Sequence, residues 1–195
     1  MSQSIRIITP HQLASWWDVP TTNALRSLKL LTKSGFLVET RVLARRLPPI
    51  EKPLCCWSPG QPIPNFGKLS YIAKQRFRET PPVIGTAFMA TNLTHAQFAN
   101  CRAVKLKRSQ STHDLGVTEA FLFAVRRWPL FTQRCWIGEN VFSSERGLGE
   151  KVEDAHFVHP RSGEVIIAVE FAGTYPKSRF EALHEALKQT PYWIM

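Results

Sequence analysis

The sequence predicts an α+β chain in two parts: a helix pair with a strand hairpin, then a helix–strand–strand–strand–helix succession. Three observations lead there. Residues 8–46 carry apolar residues at helical spacing on both sides of a short break and then switch to alternation. Residues 112–191 carry three strand-like runs between two helical ones. The excess positive charge sits in one part. Residues 1–110 hold 16 Lys and Arg against 4 Asp and Glu, a net +12, and residues 111–195 hold 9 against 11, a net −2, which together give the chain's +10. The boundary is placed near residue 82, dividing the chain into 1–82 and 83–195.

The first part begins with "ITPHQLASWWDVP". Pro10 suits the first turn of a helix that runs from His11 to Trp17, with Leu13, Ala14 and Trp17 turned inward. Asp18-Val19-Pro20 breaks it, because a residue before proline resists the helical region. In "TTNALRSLKLLTKSGFL", Thr21 or Thr22 is the expected N-cap and Gly35 the expected stop. Ala24, Leu25, Leu28 and Leu31 form the apolar stripe of this second helix, and Thr22, Arg26, Lys29 and Lys33 line another face. "FLVETRVLA" then alternates as a strand, and "PLCCWSPG" is the expected returning strand. Helix, turn, basic helix and arginine-rich hairpin make a winged helix-turn-helix. The expected DNA contacts are Thr22, Asn23 and Arg26 toward base edges, with Arg26, Lys29, Lys33, Arg41, Arg45 and Arg46 toward phosphates. A basic half of this kind is the footprint of a polyanion binder.

Between the parts, "SPGQPIPNFG" reads as an extended connection and "KLSYIAKQRFRE" as a helix with Leu69, Ile72, Ala73 and Phe77 on one side. "VIGTAFMATNLTHAQF" fits neither period cleanly. In the second part, a helix over "THDLGVTEAFLFAVRR" ends at Trp128-Pro129. Strands follow at 134–140, 154–158 and 164–171, then an amphipathic helix at 177–191 with Phe180, Leu183, Ala186 and Leu187 inward. This order is the core of the restriction-endonuclease-like fold. Asp154 starts one strand and Glu170 ends the next, so the two carboxylates are placed to converge on a divalent metal, with Glu119 as a candidate third carboxylate from the preceding helix.

The segments "ITPHQLASWW", "TTNALRSLKLLTKSGFL", "WSPG", "HDLGVTEAFL", "VEDAHFV" and "AVEFAGTYPKSRFEAL", in that order, resemble the replication-relaxation family of plasmid and mobile-element proteins. The resemblance implies a DNA-binding winged helix followed by a nuclease-like domain, in a bacterial protein of plasmid replication or mobilisation. It carries over Asp154 and Glu170 as the positions of the acidic motif. The chain departs from that motif twice. Val152-Glu153 precedes Asp154 where Pro is usual, and Ala172 stands where a nuclease has lysine two residues after the glutamate. Lys177 or Lys188 would have to reach the site from the following helix.

These readings favour a DNA-binding protein whose second domain is a scaffold for dimerisation or partner binding, with no cofactor. The alternative is a Mg2+-dependent endonuclease using Asp154 and Glu170. Expected partners are double-stranded DNA, a second copy of the chain pairing through "VIIAVEF", and a replication or mobilisation protein. No apolar run of about 18 residues is present, so no membrane span is expected. The first residues, MSQSIRIITPHQ, lack a signal-peptide pattern, and Cys55, Cys56, Cys101 and Cys135 show no paired spacing. Both points predict a cytoplasmic protein with reduced thiols. His113, His156 and His159 are not at ligand spacing for zinc.

Overall fold

Ile7 and Ile8 form a short buried strand, β1 (Ile7–Ile8), which leads directly into α1 (Pro10–Trp17) in a computed structural model describing residues 4–98, 106–142 and 153–195. Thr9 caps α1. Its hydroxyl accepts from the Gln12 amide, the Gln12 side chain accepts from the Thr9 amide, and Pro10 fills the first helical position. The buried stripe centres on Gln12 and Leu13, so the next turn brings Trp16, not Trp17, to the core. Trp16 packs edge-on against Phe121 while Trp17 is exposed. In α2 (Thr21–Lys33), Pro20 holds the N-cap position, and neither Thr21 nor Thr22 caps it. Gly35 ends α2 as expected: at φ 79° it donates to the Thr32 carbonyl, and Phe36 donates back to Leu31. Ala24 and Leu28 are buried and Leu25 is half-buried, but Leu31 is exposed, so the stripe is shorter than its spacing suggested.

β2 (Leu37–Arg45) follows, and here the chain departs from expectation. It leaves through β3 (Cys55–Trp57) and α3 (Phe66–Arg78) and only then returns as β4 (Pro82–Ala90), which pairs with β2 from Leu37↔Ala90 to Arg45↔Pro82. "PLCCWSPG" supplies β3, which pairs with Tyr192–Ile194 and not with β2, so it is not the returning strand. The first sheet has the order β1-β4-β2, all antiparallel. α4 (Asn92–Phe98) follows β4.

The rest of the chain builds the second sheet. α5 (Ser111–Arg127) passes at Trp128 into α6 (Pro129–Cys135), β5 (Trp136–Gly138) and α7 (Glu139–Phe142). β6 (Ala155–Val158), β7 (Val165–Glu170), α8 (Lys177–Ala186) and β8 (Tyr192–Ile194) complete it. The order is β3-β8-β7-β6-β5, with β7 and β8 parallel and the other pairs antiparallel. The three strands and two helices expected here are present, but the first strand is cut to Trp136–Gly138 by α6 and α7, the last helix ends at Ala186 and not at 191 with Ala186 exposed, and α6, α7 and β8 are additions. β7, which carries "VIIAVE", lies between β8 and β6 and has no free edge, so it is not the strand for pairing with a second copy. β3 precedes residue 82 and joins the second sheet, while β4 follows it and joins the first. Segments from both sides of that position therefore interleave.

The result is a mixed α+β protein in which α5 is shared by both sheets. Ala120 to Val125 are buried without interruption, between Ile8, Leu28 and Phe88 of the first sheet's side and Trp136, Phe157 and Phe171 of the second's. α3 and α8 cover the opposite face of the second sheet through Leu69, Ala73, Phe180 and Leu183. Gly116 sets how closely α5 approaches that sheet, since a Cβ there would lie 2.2 Å from the Phe171 ring. Gly116→Ala should gain about 1 kcal/mol of helix propensity and lose about 1–3 kcal/mol to overpacking. A net loss in urea denaturation is expected, and a gain would show that the ring has room to move. Among the described residues, no helix is long and apolar enough to cross a membrane.

Candidate nucleic-acid interface and buried acidic cluster

Burial of Ala24 and Leu28 fixes the roll of α2 and turns its other side outward. Thr22, Asn23, Arg26, Lys29 and Lys33 are all exposed there. Arg41 on β2 and Arg46 just beyond it are also exposed. Arg45 is not available in the same way. Its guanidinium donates to the carbonyls of Phe77, at 2.7 Å, and of Thr80, closing the C-terminal end of α3, and its amide donates to the Thr112 hydroxyl at 3.0 Å. Arg45 thus ties the end of β2 to α3 and α5. A groove of about 660 Å³ runs between α1, α2, the β2–β4 pair and α5, lined by Leu25, Lys29, Glu39, Arg46, Thr86 and Glu119. Glu119 points here and not toward the other carboxylates. Burial raises its pKa, opposed by a hydrogen bond from Gln12 and by the charges of Arg126 and His11.

The second set of residues meets where β6 and β7 end. The pair Ala155↔Val169 places Asp154 and Glu170 at neighbouring strand ends, as the sequence suggested. Each carboxylate is already partnered. Asp154 Oδ2 accepts from the Phe171 amide at 2.7 Å and lies 3.2 Å from His113 Nε2. Glu170 Oε1 accepts from the Tyr175 hydroxyl at 2.9 Å, with Arg179 Nη2 at 3.9 Å. Arg6 bridges Asp114, at 3.2 Å, and Glu139, at 2.7 Å. From α5, therefore, His113 and Asp114 join Asp154, and Glu119 does not.

Burial alone would lower the pKa of His113, but hydrogen bonding and charge from Asp114 and Asp154 reverse this and raise it to about 10. Asp114 stands 3.9 Å away, an ion-pair distance, and Asp154 is the direct partner. His113 is therefore an imidazolium at neutral pH. Burial raises the pKa of Glu139 despite Arg6, and burial with the nearby Glu170 and Asp154 charges raises that of Tyr175.

The lysines expected to complete a nuclease site do not do so. Lys177 pairs with Glu181 and Lys188 with Glu185 on the exposed side of α8 and beyond. Ala172 is fully buried, and its amide donates to the Met195 carbonyl. His156 pairs with Glu153 at 3.1 Å, and His159 lies in the following turn against Ser162, so the three histidines are apart. Among the described residues, no group of three or more His, Cys, Asp or Glu is arranged to hold a metal ion. A magnesium ion would have to displace His113 from Asp154 and Tyr175 from Glu170, so this donor set does not fit one as it stands. Cys55 and Cys56 are free and partly accessible, Cys135 is free and buried, and Cys101 lies outside the described residues.

The Asp154–Glu170 pair was legible from strand ends in the sequence. The His113–Asp114 dipeptide in the first turn of α5 was the available sign of the other half. Arg6 and Tyr175 carried no sign, being joined to the cluster only by tertiary contacts. No family model, curated protein or solved structure matches the chain.

Proposed function

We propose that the chain is a DNA-binding protein that holds duplex DNA against α2 and the β2–β4 strand pair, and that its second sheet is a scaffold, not a nuclease. The observation that carries this is the exposed row Thr22, Asn23, Arg26, Lys29 and Lys33 on α2, flanked by Arg41 and Arg46. The sheet order β1-β4-β2 around a helix pair supports the winged-helix reading, with α5 packed against α1 and β1. The cluster of Arg6, His113, Asp114, Glu139, Asp154 and Glu170 supports the scaffold role, because each of its carboxylates already has an ion-pair or hydrogen-bond partner. The resemblance of its motifs to replication-relaxation proteins supports a role for this binding in plasmid replication or mobilisation, in the cytoplasm. The second reading, a metal-dependent endonuclease, draws only on Asp154 and Glu170 ending neighbouring strands.

Duplex retardation across a salt series, with and without Mg2+ or Mn2+, followed on a denaturing gel, tests both readings. The expected result is intact DNA with binding that weakens as salt rises, with a slope of about −0.9 per phosphate contact. Metal-dependent cuts would establish the endonuclease reading, and binding indifferent to salt would remove nucleic acid from the function.

A further inference from the structure

At the C-terminal end of α5, the molecule exposes large aromatic side chains beside arginines. The Trp128 amide donates to Ala124 and ends α5, and Pro129 starts α6 at once. This sharp junction leaves Trp128 41%, Leu130 70% and Phe131 39% exposed. The rings are held in place from beneath. Trp128 lies 5.4 Å from Trp193, Trp193 lies 5.3 Å from Phe157, and Phe131 stacks on Phe157 at 5.2 Å and 17°. One face of Phe131 is thus covered by Phe157, and its exposure comes from elsewhere on the ring. Three cations flank this ridge. Arg127 sits 5.8 Å from the Phe123 ring, which itself packs edge-on against Trp128. Arg134 is exposed one turn beyond Phe131, and Arg126 is partly satisfied by Glu119 at 3.6 Å. α6, PLFTQRC, contains no acid.

We infer that this ridge binds single-stranded nucleic acid. Pre-positioned aromatic rings offer stacking surfaces to unpaired bases, and arginines beside them match the phosphates between those bases. A duplex keeps its base faces stacked internally and has no use for exposed rings. Protein docking would also use Trp and Arg, but charge decides between the two: α6 contains no acid, and Arg127 and Arg134 make no ion pair among the described residues, which suits a polyanion. Its place in the fold separates it from the duplex surface. Arg45, at the end of β2, is bonded to Thr112 at the start of α5, and the ridge lies at the other end of that helix, 17 residues or roughly 25 Å away. The inference goes beyond the duplex reading and does not depend on it. A chain with both surfaces is suited to the boundary between paired and melted DNA.

The test is fluorescence anisotropy with a labelled oligothymidylate of about fifteen nucleotides, read with intrinsic tryptophan emission and sedimentation of the free protein. Binding with quenched emission is expected, and Trp128→Ala with Phe131→Ala should weaken it at least about thirty-fold, two stacked bases being lost. Arg127→Glu with Arg134→Glu, both exposed and each giving up a favourable cation at a helix C-terminus, should weaken it and flatten its salt dependence in protein shown to be folded by its melting curve. Arg26→Glu with Lys29→Glu should leave it unchanged. The inference is overturned if wild-type protein ignores the oligonucleotide, or if the arginine pair can be reversed without effect. It is also overturned if the aromatic variant changes only self-association, which would make the ridge an interface between copies of the chain.

Discussion

Reversing the charge of Arg26 and Lys29 together abolishes duplex binding at physiological salt; that is the expected result, and it follows from where α2 places them. Both side chains are exposed on the side of α2 opposite Ala24 and Leu28. Neither forms an ion pair or hydrogen bond within the described structure that would be lost on substitution. Surface changes of this sort alter stability by about 0.5 kcal/mol or less, so the variant should melt with the wild type. The loss then belongs to binding. Two phosphate contacts removed should also cut the slope of log affinity against log salt by about 1.8. Arg45→Ala is the contrasting control. That guanidinium closes α3 through the carbonyls of Phe77 and Thr80, and charged hydrogen bonds of this kind are worth about 1.5–3 kcal/mol each. Its removal should lower the melting temperature while the α2 surface persists. Unchanged affinity in the folded Arg26/Lys29 variant would remove α2 from the interface.

The contrast between Arg45 and its neighbours shows where the sequence was legible. Local chemistry declared itself: Gly35 ends α2 through the backbone bonds its φ permits, alternation located β2, and short apolar runs located β6 and β7. Asp154 and Glu170 were found because strand ends can be read from period and punctuation. Long-range pairing was hidden. Cys55–Trp57 looks like any short strand, and nothing in its own residues says that it pairs with Tyr192–Ile194 across the chain. Arg41, Arg45 and Arg46 are alike in sequence, yet only Arg45 meets the end of a helix that the chain inserts before β4. Likewise Glu119 and Asp114 both lie on α5, but the helix turns them to different neighbours, Glu119 to Gln12 and Arg126 and Asp114 to Arg6. Which face of a helix meets which partner is set by packing, and one sequence without its contacts leaves it open.

The buried cluster yields the second large effect, and its sign separates a scaffold from a metal site. In a nuclease, neighbouring carboxylates repel until metal arrives, so truncating one commonly stabilises the metal-free protein. Here the buried Asp154 faces a half-buried imidazolium and the Phe171 amide. Asp154→Ala leaves both without their acceptor, and breaking a buried pair in this way costs about 3–5 kcal/mol. Destabilisation is therefore expected, read as a fall in the urea midpoint near pH 6. The pH dependence adds an independent check. His113 titrates at about 10 in the folded chain, above its ordinary 6.5, so it binds a proton more tightly when folded. Its contribution to stability is full below pH 6.5 and is lost as pH rises through about 10. In Asp154→Ala the share of that loss due to Asp154 has happened already while Asp114 keeps its own, so stability should fall less steeply between those values than in the wild type. Asp154→Asn keeps an acceptor for the Phe171 amide but not the charge, and should lie between the two. A variant that is more stable than the wild type, with a pH profile unchanged, would make Asp154 a ligand in waiting and not a strut.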